Sequence, residues 1–244
     1  MSIQNGRNLT QTIVDELGVA IVKGNYEGSK FPTEAALCDQ FSASRNIVRE
    51  AVKILSEKGL LRSRPRHGTS IRPEEQWNIL DTDILRWLLK RKTSLTLLKE
   101  FFDVRCQIEP AAAALAAELA SDEQIGKIRL AMDRMEAAEL GDDDPLEADI
   151  AFHKALLEAS NNRFFIQLSS LTETALRVSI RLTNTQKSSP GVVGKHLESH
   201  EVIISAIETR DAELAKTQTQ NLFVNVQALI QKSVEMNKRP ILAE

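Results

Sequence analysis

Cys38 and Cys106 are the only thiols in 244 residues, and they lie far apart. That spacing excludes a disulfide framework and a thiolate metal site, and it fits a reducing, cytoplasmic setting. No apolar run approaches the ~18 residues of a membrane span, so no membrane partner is expected. The opening MSIQNGRNLTQTIVDELG carries no apolar secretory core, so no signal peptide is expected. Aromatics make up 5% of the chain, and glycine and proline number 10 and 7. Such scarcity disfavours a turn-rich all-β protein and favours helix. Apolar residues, by contrast, reach 42%, enough for a real core in one large or two ordinary domains.

A near-neutral total conceals an uneven charge. The net is −3, but residues 1–73 carry 11 basic and 7 acidic side chains, while the remaining 171 carry 20 and 27. Between Ser44 and Arg72 stand Arg45, Arg49, Lys53, Lys58, Arg62, Arg64, Arg66 and Arg72 against Glu50 and Glu57. A small basic part before a larger acidic one suggests that the first meets a polyanion. A basic face that merely meets solvent is the alternative.

Leu9, Ile13, Leu17, Ala20 and Ile21 recur at helical spacing, and Gly24 sits where that helix should stop. Pro32 and Thr33 open a second short helix buried through Leu37 and Phe41. A third follows in SASRNIVREAVKILSEKGLL, with Ser44 as N-cap, Ile47, Val48, Ala51, Ile54 and Leu55 as the buried stripe, and Gly59 as the stop. Arg45, Asn46, Arg49 and Lys53 lie off the stripe. Two helices joined by a tight turn, with Arg and Asn near the start of the second, form the helix-turn-helix arrangement. Arg can grip guanine edges or phosphate there, and Asn can read adenine. LLRSRPRHGTSIRP then supplies two extended runs around a turn at Pro65 and Gly68, decorated by Arg62, Arg64, Arg66 and His67. That is a wing suited to a phosphate backbone or the minor groove.

Beyond the linker RPEEQWNILDTD the pattern is helical throughout. Trp77 is a candidate packing anchor between domains, and Asp81 or Asp83 can cap the helix ILRWLLKRK. Helices are expected near 94–119, 121–140, 145–159, 162–186, 194–209 and 212–236, with Pro110 inside the first and a SDEQ capping box opening the second. Six or seven amphipathic helices of this length make a bundle. Four residues break its patterning. Asp149 and His153, at i and i+4, share the buried face with Leu146 and Leu156; His200 is in line with Leu197, Ile204 and Ile207; Arg105 is flanked by Phe101, Phe102, Ile108 and Ala112. Burying them is costly unless they meet each other, a metal or an anionic ligand. A single core histidine bonded to a carbonyl is commonplace, but four such residues on three helices point to a polar pocket. His196 lies nearer the stripe's edge and reads as a bystander.

FPTEAALCDQFSASRNIVREAVKILSEKGLLRSRPRHGTSI resembles the GntR family of bacterial transcription regulators across the whole winged helix. The resemblance implies that Ser44, Arg45, Asn46, Arg49, His67 and Gly68 contact DNA. Ala35 departs from an Arg common in the family's second helix. VRCQIEPAAAALAAELA, EADIAFHKALLEASNN and SHEVIISAIETRDAELA resemble the FadR-type subfamily with its FCD effector domain. That implies a divalent ion (Zn, Ni or Mn) on Asp149, His153 and His200, a carboxylate effector gripped by Arg105, and a homodimer. No histidine follows His200, where members commonly place another, so Asn221, water or effector would complete the shell. QWNILDTDILRW and SRNIVRE further resemble galactonate-responsive repressors, which implies a sugar-acid effector; the recognition helix plus wing, paired by two-fold symmetry, leads one to expect an inverted-repeat operator.

The expected architecture is thus mainly α: a winged helix-turn-helix at 1–73, a linker at 74–82, and an all-α ligand-binding and dimerisation domain at 83–244. The expected function is a transcription regulator, not an enzyme. Two alternatives stand beside it. The Asp–His–His set could serve a metal-dependent hydrolase, although no HExxH, GxSxG or evident general base accompanies it. An architectural DNA binder without effector would leave Arg105 and His200 no reason to be polar.

Overall fold

The computed structural model of the protein defines residues 2–27, 30–64, 68–91, 94–183 and 192–238. Two compact units emerge, Met1–Leu97 and Leu98–Glu244.

In the first unit α1 (Ser2–Val22) buries Ile13, Val14, Leu17 and Ile21. The turn after it contains Gly24 at φ 76°. Thr33 caps α2 (Glu34–Phe41) by accepting from the Ala36 N–H at 3.3 Å. Ser42, in the left-handed region at φ 48°, turns the chain into α3 (Arg45–Glu57). Ser44 occupies the N-cap position of α3, but its hydroxyl makes no capping bond. The end is exposed, so water can serve its first N–H groups, and the expected side-chain cap is corrected to a purely positional one. α3 closes with the Leu60 N–H returning to the Leu55 carbonyl at 3.0 Å around Gly59 at φ 87°, where a Cβ is disfavoured. β1 (Leu61–Arg64) and β2 (Gly68–Ile71) pair antiparallel, Leu61 opposite Ile71 and Arg64 opposite Gly68. The turn at Pro65, Arg66 and His67 lies outside the described residues.

The chain after the wing belongs to this unit as well. Trp77 packs in the core of this unit, its Nε1–H donating to the Arg72 carbonyl at 2.9 Å. Asp81, not Asp83, caps α4 (Thr82–Leu88), accepting from the N–H groups of Asp83 and Ile84. Ile84, Trp87 and Leu88 pack into the same core as α1. Residues 74–97, read from sequence as linker and the start of the bundle, therefore pack with the N-terminal unit. Lys58, just beyond α3, pairs with Asp81 at 2.9 Å and Asp83 at 2.8 Å, and Arg86 pairs with Asp83 at 2.6 Å and Asp15 of α1 at 2.8 Å. Burial alone would raise the Asp83 carboxyl, but its bonds to Lys58 and Arg86 hold it below the usual carboxylate range.

The second unit is helical throughout its described residues: α5 (Ser94–Leu119, most of which lies in this unit), α6 (Asp122–Leu140), α7 (Pro145–Ala159), α8 (Arg163–Thr183), α9 (Val192–Glu208) and α10 (Ala212–Lys238). Local chemistry sets the ends. Ser121 and Gln124 form a reciprocal capping box, Asp144 caps α7 ahead of Pro145, Asn162 accepts from Phe164 N–H at 3.0 Å, and Asp211 accepts from Leu214 N–H at 2.9 Å. α9 begins at Val192, two residues before the expected start at 194. α7 packs between α6 and α8, while α9 packs against α6 and α10. The core combines Phe152, Leu156, Ile203, Ile204 and Ile207 with many alanines, among them Ala113, Ala116 and Ala117 along one face of α5 and Ala120 just beyond its end.

Trp87 offers a sharp test of this packing. Its Nε1–H donates to Asp15 Oδ1 at 3.0 Å, and its ring lies where a Cβ on Gly18 would be only 2.5 Å from it. Helix propensity alone makes Gly18→Ala favourable by roughly 1 kcal/mol. We expect the opposite sign, a loss of about 1–3 kcal/mol from overpacking against a rigid ring, measured by denaturant unfolding of the full chain.

Candidate DNA interface and buried polar site

α3 presents its polar face to solvent. Ser44, Arg45, Asn46, Arg49 and Lys53 are all exposed, while Val48, Ala51, Val52 and Leu55 hold the helix from behind. Arg49 is 69% exposed and only loosely paired with Glu34, at 3.8 Å. Its guanidinium is thus available to a polyanion at little cost in lost pairing. Ala35 is exposed on α2 and brings no charge there. Gly68 begins β2 at φ 79° with nothing within 4 Å of a would-be Cβ. The structure thus gathers Ser44, Arg45, Asn46 and Arg49 at one end of α3 and places Gly68 in the hairpin; Arg66 and His67 are not described.

The bundle buries the second site. Asp149 and His153 stand one turn apart on α7, and His200 comes from α9. The Nε2 atoms of His153 and His200 each lie 3.7 Å from Asp149 Oδ1. One ligand atom from each of the three residues falls within 4.8 Å of the others. The donor set, two imidazoles and a carboxylate at this spacing, fits a divalent first-row ion. Phe152 backs the histidines edge-on, its ring centroid 4.7 Å from that of His200 and 5.7 Å from that of His153.

Arg105 reaches the same cluster through a residue that sequence reasoning passed over. Glu109, fully buried one turn later on α5, accepts from Arg105 Nε at 2.5 Å with one oxygen. Its other oxygen is 2.6 Å from His153 Nδ1. Burial alone would raise the Glu109 carboxyl strongly, but the Arg105 charge first and His153 second outweigh it and hold it at about 2. An ionised carboxylate only accepts, so His153 Nδ1 carries the hydrogen. Arg105 Nη2 is buried with no hydrogen-bond partner among the described residues, while its Cζ lies 5.2 Å from the Phe223 ring centroid. The signal for Glu109 was available: it follows Arg105 at i+4 on the same apolar stripe.

Asn221 is not brought to the cluster. It is exposed and lines a surface groove with Ser199, Val202 and Gln218. Among the described residues α10 turns Ala215, Thr219, Leu222 and Phe223 inward, and the Phe223 centroid lies 6.3 Å from that of His153. An aromatic ring therefore lies near the cluster on α10. The side chain of His196 lies outside the described residues. Cys38 and Cys106 are half-buried free thiols, and burial pushes Cys106 up, as suits a packing residue.

Outward basic side chains at the start of a helix, with a β-hairpin beside it, are dimensioned for duplex DNA, and a second domain with a buried polar cluster makes the chain a ligand-responsive DNA-binding regulator. Comparison with known proteins makes this specific. Residues 9–71 match the bacterial regulatory proteins of the gntR family, and residues 100–225 match the FCD domain. The chain belongs to the GntR family of transcription regulators, in its FCD-bearing branch, and the hydrolase alternative is set aside. It is 35% identical over 210 residues to the galactonate operon transcriptional repressor of Escherichia coli K12, covering 86% of this chain and 91% of that protein. It is 28% identical over 215 residues to the transcriptional regulator LutR of Bacillus subtilis, covering 86% and 95%. Among solved structures, Streptococcus agalactiae GntR superposes with a TM-score of 0.52 at 23% identity, covering 90% of this chain and 99% of that one, a likeness of fold.

Arg49→Ala should weaken operator binding by about 1–3 kcal/mol if the side chain grips a base edge. Fluorescence anisotropy of the full chain on DNA flanking its own gene measures this, and affinity should fall steeply with salt. An unchanged affinity would remove Arg49 from the interface.

Proposed function

We propose that the protein represses a sugar-acid catabolic operon from the cytoplasm and leaves its operator when the sugar acid's carboxylate binds the C-terminal bundle. The observation that carries this reading is the buried Arg105, its Nη2 without a hydrogen-bond partner among the described residues, joined through Glu109 to the cluster of Asp149, His153 and His200. A guanidinium so placed recognises a carboxylate through charge-assisted hydrogen bonds. Asp149, His153 and His200 would hold a divalent ion, which when bound supplies a Lewis-acid contact to the effector. Glu109 keeps His153 Nδ1 occupied and so turns Nε2 toward Asp149. The cluster's charged and imidazole groups suit a polar hydroxylated acid better than a long acyl chain. Similarity to a galactonate operon repressor supports a hexonate, and similarity to a putative L-lactate dehydrogenase operon regulator makes smaller hydroxy acids the natural competitors. Effector must bind the DNA-incompetent arrangement better, since equal affinity shifts nothing.

The test is a thermal-shift screen of the full chain against D-galactonate, other hexonates, lactate and glycolate, with and without divalent metal, because a ligand selective for the native state raises the melting temperature. Arg105→Ala should keep operator binding but cost effector binding about 2–5 kcal/mol, so that repression is not relieved. His153→Ala should do the same and also lose metal in calorimetry of stripped protein. Full effector release from DNA in excess chelator, with His153→Ala behaving as wild type, would take the ion out of the mechanism.

The operator is proposed to be an inverted repeat read by a homodimer, since one winged helix covers only a half-site. The acidic bundle is proposed as the dimer interface. Sedimentation of the full chain should give a dimer at tens of micromolar; a clean monomer there would count against it.

A further inference from the structure

The two parts of the proposed effector site are joined by one carboxylate. Glu109 is fully buried and uses both oxygens on side chains of the cluster, one on Arg105 Nε and one on His153 Nδ1. We infer that Glu109 is a positioning residue that couples ion binding to carboxylate binding, by fixing His153 and Arg105 with the same group. The inference rests on the effector-site reading above.

Its chemistry follows from the inventory of donors and acceptors. His153 needs Nδ1 protonated for Nε2 to offer its lone pair on the side of Asp149 and His200, and the carboxylate bond sets that tautomer and the ring's orientation. Arg105 needs its planar fork held still if the rest of the guanidinium is to meet a ligand. The bond to Nε does so and leaves Nη2, buried and without a hydrogen-bond partner among the described residues, for an incoming oxygen. Glu109 lies outside the Asp149–His153–His200 donor set. It acts through Arg105 and His153, which are the groups that touch ion and effector.

An amide separates this role from simple packing. In Glu109→Gln one end can still accept, but the other presents N–H to a donor, so Arg105 or His153 must give way. The probes are Co2+ alone, followed by its visible d–d bands, and D-galactonate added to it. In the full wild-type chain Co2+ should give bands characteristic of a nitrogen–oxygen site, and D-galactonate should tighten Co2+ binding. In Glu109→Gln the Co2+ affinity should fall about 10- to 100-fold with shifted bands, and the tightening by D-galactonate should disappear. Ile128→Val, chosen from the hydrophobic core, serves as a destabilised control that keeps the wild-type spectrum. Should Glu109→Gln fail to fold, Glu109→Asp carries the test: it keeps the buried charge, is too short to hold both partners, and should also lose at least tenfold in Co2+ affinity. Wild-type affinity, bands and tightening in the folded variant would overturn the role of Glu109 alone. A wild-type chain that shows no Co2+ binding would overturn the ion site itself, and the positioning role with it.

Discussion

Taking a carboxylate and a guanidinium out of water costs several kcal/mol per ion, and the C-terminal bundle does so deep in its interior. Its packing there answers that cost. Arg105 and Glu109 sit one turn apart on α5, Asp149 and His153 one turn apart on α7, and His200 enters from α9. The helical repeat puts each pair on one face, so three helices suffice to bring five polar groups together. Phe102, Phe152 and Phe223 border them with rings, which lowers the local dielectric and strengthens every charge contact inside. The cluster thus gathers a guanidinium, two carboxylates and two imidazoles in one buried place, at a cost in desolvation that their mutual contacts offset.

The alanines of α5 make that arrangement possible. Ala112, Ala113, Ala116 and Ala117 follow one another at helical spacing and are all buried. Side chains this small let neighbouring backbones approach closely, and they lie on the turns C-terminal to Arg105 and Glu109 on the same helix. Rigid, close-packed helices below a polar cluster hold its geometry, since cores of native density transmit strain rather than absorb it.

Much of this was readable in the chain. The capping box at Ser121 and Gln124 and the extents of α6 and α7 follow from local chemistry that needs no partner. The Asp149–His153–His200 set was legible because each residue interrupts an apolar stripe. What escaped depends on distant contacts. DILRWLL reads as an amphipathic helix, but nothing local says that Trp87 fits over Gly18 and not into the bundle. Glu109 shares its stripe with Arg105, but nothing local says that α7 brings His153 against it. Asn221 was misplaced by helical phase: the residues that turn inward on α10 are its neighbours Leu222 and Phe223.

The chain of ion pairs in the N-terminal unit also has a mechanical meaning. Lys58 follows the recognition helix directly and is clamped by Asp81 and Asp83 at the start of α4, while Arg86 continues the chain to Asp15 on α1. Gly59 and the hydrogen bond closing α3 leave little slack between the helix and that clamp. α4 itself packs on α1, so the ion pairs tie the end of α3 to that helix pair. The exposed basic side chains stand at the opposite end of α3, so the helix is moored at its tail and carries its charge at its head.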